Sequence, residues 1–196
     1  MKIAVSRLVT CLCLVFLATA CVQTPPGKSF PELRYSHLDP IGLAVNSVEV
    51  RTVYVSPGKA PNVEHEFPVK PAAAAERWVQ DRIRARGGPD RLRATVTKGS
   101  VVEVPLKRTT GIRGAFTTDQ SERYDGELEL RLEIFAPNGT RRAMVSSRAT
   151  RTRTVAEDVT LSEREDIWFR ITEAMMNDLN RALEQQIGKH FAEWRR

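Results

Sequence analysis

The sequence predicts a two-layer α+β domain of element order β-α-β-β-β-α, with an about four-stranded mixed sheet, two helices packed on one face and a long C-terminal helix. Three observations predict it. Leu128, Leu130, Leu132 and Ile134 alternate with charged residues and run into Asn138-Gly139, the signal of a β-hairpin. From Ile167 to Trp194 apolar residues recur every three or four positions, which is the period of one helix face. A shorter helical pattern, Ala75, Trp78, Val79 and Ile83, lies between two alternating stretches, the order of a crossover between parallel strands.

Taken in order, the chain begins with Lys2 and Arg7 ahead of an apolar run from Val9 to Leu17, followed by Ala18-Thr19-Ala20 and Cys21. That is the layout of a secretory signal peptide, and the run falls short of the ~20 residues a transmembrane helix needs. Leu17-Ala18-Thr19-Ala20-Cys21 resembles the bacterial lipobox, with Ala18 where leucine is commoner. The resemblance implies that the Cys21 thiol is acylated and that cleavage makes Cys21 the first residue. The alternative is an ordinary signal peptide cleaved near Ala20. Cys11 and Cys13 leave with the signal, so Cys21 is left as a single cysteine and no disulfide framework forms. Val22, rather than aspartate, follows the cysteine; the resemblance then implies the periplasmic face of the outer membrane, with the inner membrane as the alternative. The expected division is 1–20 signal peptide, 21–36 lipidated N-terminus and tether, and 37–196 one periplasmic domain.

Val22 to Arg34 carries Pro25, Pro26, Gly27 and Pro31 and reads as tether. Ile41 to Val55 alternates as a strand, with a change of parity at Asn46-Ser47 that marks a bulge or bend. Ser56 to Lys70 is a proline-containing loop. Pro71 opens a helix that the pattern carries to Arg86, where Gly87-Gly88-Pro89 stops it. Leu92 to Leu106 is the second strand, with Leu92, Ala94, Val96, Val102, Val104 and Leu106 on one parity and Lys98 and Ser100 as interruptions around Gly99. Lys107 to Ser121 is a long basic loop. In the hairpin, a two-residue primed turn at Asn138-Gly139 sets Ile134 opposite Ala143, Leu132 opposite Val145, Leu130 opposite Ser147 and Leu128 opposite Ala149, with Glu129 and Arg148 paired on the outer face. Ser162 and Glu165 read as the capping box of a last helix from Val159 onward. At ~1.5 Å per residue its roughly 30 residues exceed the sheet's width, so Phe191 and Trp194 are expected to overhang, with Gly188 as a fraying point.

Chemistry-bearing motifs are sparse. His37, His65 and His190 lack metal-ligand spacing, and Glu64-His65-Glu66 reads as solvated loop. No phosphate loop, nucleophile elbow or zinc helix motif occurs, and Trp168 with Met175-Met176 reads as core rather than a cofactor box. No cofactor, no metal and no catalytic residue is expected. What stands out is positive charge. Lys107, Arg108 and Arg113 on the long loop, with Arg148, Arg151 and Arg153 on the fourth strand, form a candidate surface for an anionic partner. The competing reading is a solvated strand face that pairs with Glu127, Glu129 and Glu133. A formal charge of +6 is too small to indicate nucleic acid.

A lipobox followed by this element order resembles small envelope lipoproteins, such as lipopolysaccharide-assembly lipoproteins and the auxiliary lipoproteins of ABC-type lipid transport. The resemblance implies a non-enzymatic binding or scaffold subunit, membrane-held through its lipid, that partners an envelope protein. The alternatives are a stand-alone structural lipoprotein and a soluble secreted enzyme.

Overall fold

The computed structural model describes residues 28–106 and 120–196. Strand β1 (Ile41–Thr52), helix α1 (Pro71–Arg82) and the strands β2 (Ile83–Pro105), β3 (Gln120–Phe135) and β4 (Arg141–Ala156) are followed by helix α2 (Leu161–His190) and a single 3-10 turn, Ala192–Trp194. The sheet order is β1-β2-β3-β4; β1 and β2 are parallel, the other pairs antiparallel. Both helices cover one face. Leu43, Leu92, Ala94, Leu130, Leu132 and Ile134 from the sheet meet Trp78 and Val79 of α1 and Met175, Leu179 and Leu183 of α2 in one continuous core. The predicted α+β order is therefore the observed one, with Trp168, Met175 and Met176 in the core as read.

The hairpin register is as expected at every core pair, from Ile134 with Ala143 to Leu128 with Ala149, and Glu129 faces Arg148. The turn that delivers it differs. Ala136 O accepts from Gly139 N–H at 2.9 Å and Ala136 N–H donates to Thr140 O at 2.8 Å, which is a three-residue loop. Only Gly139 has positive φ, at 88°, so a primed two-residue turn is excluded. The register shifts between Ile134 and Phe135, and one extra residue of β4, Arg142, restores the core pairing.

Other departures have similar local causes. Helix α1 ends at Arg82 rather than Arg86, and the chain passes directly into β2 because Ile83 pairs with Ile41 of the parallel strand. Gly87-Gly88-Pro89 does not stop a helix; it lies in a wide bulge of β2, between Ala85, opposite Leu43, and Asp90, opposite Val45. Gly88 is required there: φ is 129°, and a Cβ would lie 2.4 Å from Ala44 O. The parity change near Asn46-Ser47 is a true irregularity. A further bulge between Val96 and Lys98 turns Val101 inward, fully buried, and leaves Val102 and Val104 on the other face, against the single parity expected. The capping box is Thr160 with Glu163, two residues earlier than Ser162 with Glu165. Helix α2 does not overhang: Phe191 is fully buried and Trp194 is 8% exposed, because the chain folds back and Arg195 bridges to Leu43. Gly188 lies within the helix.

The segment before β1 lies against the helical layer. Lys28 pairs with Asp166, Phe30 sits 5.4 Å from Phe169, and Arg34 forks onto Asp81 at 2.8 and 3.0 Å. Tyr35 N–H donates to the same carboxylate at 2.8 Å. Burial of Asp81 favours its neutral form, yet the Arg34 and Tyr35 hydrogen bonds outweigh that and hold its carboxyl below the usual range.

Candidate functional site

Strand β4 is an edge strand of 16 residues that carries Arg141, Arg142, Arg148, Arg151 and Arg153 and no acidic residue. Alternation distributes these side chains between two environments. Val145, Ser147, Ala149 and Val155 are buried under the helices, and Arg151 and Arg153 share their parity. Arg148 has the opposite parity and lies on the open face of the sheet, 2.7 Å from Glu127. The candidate surface read from sequence is thus divided: Arg148 belongs to a solvated mosaic with Glu127, as the competing reading held, while Arg151 and Arg153 face α2. Lys107, Arg108, Arg113 and Cys21 lie outside the described residues.

Arg151 and Arg153 line a groove of about 340 Å³ between β4 and α2, with Thr152, Ile167, Arg170, Ile171 and Ala174. Arg151 stands opposite Gly126 and forms an ion pair with Asp178 of α2, a carboxylate that Arg181 also engages. Arg153, opposite the buried Tyr124, and Arg170 have no carboxylate partner among the described residues. The groove therefore presents two uncompensated guanidinium groups beside an apolar wall of Ile167 and Ile171. Sequence reasoning missed Arg170. The available signal was its position on α2 between Ile167 and Ile171, at the border of the apolar stripe.

The remaining buried charges hold the fold. Glu64 is 3% exposed rather than solvated; it accepts from Tyr54 at 2.6 Å, Ser56 at 2.5 Å and the Val101 N–H at 3.0 Å. Burial opposes its charge, but these hydrogen bonds win and keep its carboxyl below the ordinary range, while burial and Glu64 raise the Tyr54 phenol. Glu64 therefore ties the loop before α1 to β2, and no cluster of three metal-ligating side chains occurs among the described residues. Buried Arg82 donates to Asp39 O at 3.1 Å and Asn180 at 2.6 Å and pairs with Glu184, so it joins α1 to α2. Glu122, Tyr124 and Arg164 form a similar tie between β3 and α2.

No protein-family model matches the chain, and no curated protein sequence matches it. Among solved structures it is similar to rare lipoprotein B from Shewanella oneidensis, at 12% identity over 73% of this chain and 95% of that one, with a TM-score of 0.37. It is similar to a minor lipoprotein from Acinetobacter baumannii, at 12% identity over 74% of this chain and 92% of that one, with a TM-score of 0.33. A lipoprotein from Neisseria meningitidis follows at 14% identity over 72% and 99%, with a TM-score of 0.23. All three are bacterial lipoproteins.

Proposed function

We propose that this chain is a non-enzymatic lipoprotein, held by an acylated Cys21 at the periplasmic face of the outer membrane, that serves as a binding or scaffold subunit of an envelope complex for lipid transport or outer-membrane assembly. The anchoring half of the reading rests on Leu17-Ala18-Thr19-Ala20-Cys21 behind its apolar run. The binding half rests on one observation, the free edge of β4 with five arginines and no acid. An open edge offers unpaired backbone groups to another strand. Arg141, Arg142, Arg148 and Arg151 are each paired with a carboxylate of a neighbouring element, so Arg153 and the absence of acid on β4 itself are what favour an acidic partner segment over a second copy of the same edge.

Two measurements test it. Intact mass of the protein extracted from membranes is expected to show acyl chains on Cys21, with Cys21→Ser left unprocessed or released; a mature chain with a free thiol overturns the anchor. Photo-crosslinkers at Met144 and Thr150, on the β4 edge, are expected to capture one discrete envelope protein. Capture of abundant unrelated proteins alone, unchanged in Arg141→Glu/Arg148→Glu, overturns the partner surface.

A further inference from the structure

We infer that the groove between β4 and α2 seats the phosphate of an anionic phospholipid from the membrane that holds the protein, with Arg153 and Arg170 as its cationic contacts and Ile167 and Ile171 against the upper acyl region. This rests on the anchored reading for its orientation but on the groove itself for its chemistry. Three features carry it.

The groove is amphipathic in the sense a lipid headgroup requires. Its guanidinium groups come from two different elements, Arg153 from β4 and Arg170 from α2, and converge on one opening beside Ile167 and Ile171. Guanidinium is suited to phosphate oxygens, which accept its paired N–H donors. Arg151, the third arginine, is already engaged by Asp178, so the charge available to a ligand is that of Arg153 and Arg170.

The ordinary means of cancelling such charge is not used here. Many arginines elsewhere in the fold are matched: Arg34 by Asp81, Arg93 by Glu49, Arg142 by Asp90, Arg148 by Glu127 and Arg164 by Glu122. Arg153 and Arg170 form no ion pair among the described residues, which is also true of Arg84, Arg86, Arg91, Arg195 and Arg196, but these two stand on facing elements at one groove.

The chain leaves the domain beside the groove. Lys28 pairs with Asp166 and Phe30 lies on Phe169, one turn from Ile167, Arg170 and Ile171. Arg170 lines both the groove and the recess that holds Lys28, Phe30 and Pro31. Seven residue steps separate Lys28 from Cys21, a reach of at most ~25 Å even when fully extended. A protein anchored at Cys21 thus keeps this opening, with Arg153 and Arg170, within a short distance of the headgroups. Anionic headgroups attract such basic positions at close range.

The test uses the full mature chain with Cys21→Ser, so that no acyl chain contributes. Binding to vesicles of phosphatidylcholine with phosphatidylglycerol is expected, with weak binding to phosphatidylcholine alone. Arg153→Glu/Arg170→Glu is expected to weaken it by about 25-fold or more, at roughly fivefold for each lost basic contact. Arg51→Glu, on the opposite edge of the sheet, is expected to leave it unchanged. Circular dichroism checks that each variant is folded, and Arg170→Gln gives a milder second variant. Soluble short-chain phosphatidylglycerol is expected to shift the NMR signals of Thr152, Arg153 and Ile171. Equal vesicle binding by wild type and the double variant overturns the proposal. So does a shift of those signals by an oligoglutamate peptide but not by the short-chain lipid, which assigns the groove to an acidic protein. A free Cys21 thiol in cells removes the anchor without altering any of these vesicle results, so the two failures are distinguishable.

Discussion

Trp194 donates its indole N–H to Oδ2 of Asp90 at 2.8 Å, and Arg142 reaches the same oxygen at 3.0 Å. Asp90 follows the wide bulge of β2, Arg142 is the extra residue of β4, and Trp194 closes the 3-10 turn after α2. Three irregularities of the chain meet at one carboxylate that is 1% exposed. Trp194→Phe keeps most of the ring volume and removes one donor from a charged, buried acceptor. It is expected to lower unfolding free energy by about 1–3 kcal/mol in urea titration. A change within measurement error shows the contact to be incidental.

The hairpin register makes a sharper prediction. Leu132 is fully buried opposite Val145, whereas Glu129 lies on the open face near Ser146. Leu132→Asp is expected to abolish the cooperative unfolding transition, since a buried unpaired carboxylate costs several kcal/mol. Glu129→Gln is expected to change stability by less than about 1 kcal/mol. Similar losses from both variants contradict the register.

Glu64 gives a pH dependence whose sign is set by its lowered carboxyl pKa. Its contribution is complete above the ordinary value of 4.5 and is lost as pH falls through the lower folded value. The wild type is therefore expected to be more stable than Glu64→Gln at pH 7, by about 1–3 kcal/mol, with the gap narrowing below pH ~4.5. A gap that widens on acidification contradicts the assignment.

Asp81 holds the entering segment through Arg34 and Tyr35. In Asp81→Asn the Arg34 fork loses its charged acceptor, and limited proteolysis is expected to cut the region 28–36 faster while the 37–196 fragment survives. Cleavage at an unchanged rate means that Phe30 and Leu33 hold the segment without it.

What was legible in the sequence was what local patterns determine. Leu128 to Ile134 and Asn138-Gly139 carry parity and turn within a dozen residues, so the core register was readable even though the turn type was not. Arg86 to Pro89 was misread because propensity cannot reveal that Ile83 is claimed by Ile41 across the parallel pair. The return of Phe191 and Trp194 depends on Asp90, a partner 104 residues away in the case of Trp194. In the candidate site Arg151 and Arg153 were visible as charge, and their shared parity with Ala149 already separated them from Arg148. Arg170 was not visible as a partner, because only the packing of α2 beside β4 brings it to the groove.

The bridge from Arg195 to Leu43, with Arg196 N–H donating to Gly42 O at 3.1 Å, has a consequence for biosynthesis. Strand β1 has its outer side covered only by a segment 152 positions further along the chain, counted from Leu43 to Arg195. A nascent chain halted anywhere before residue 191 lacks both the Trp194 contact and this clasp. The clasp is therefore among the most non-local contacts of the fold, and that side of β1 stays uncovered until the segment after α2 docks on it.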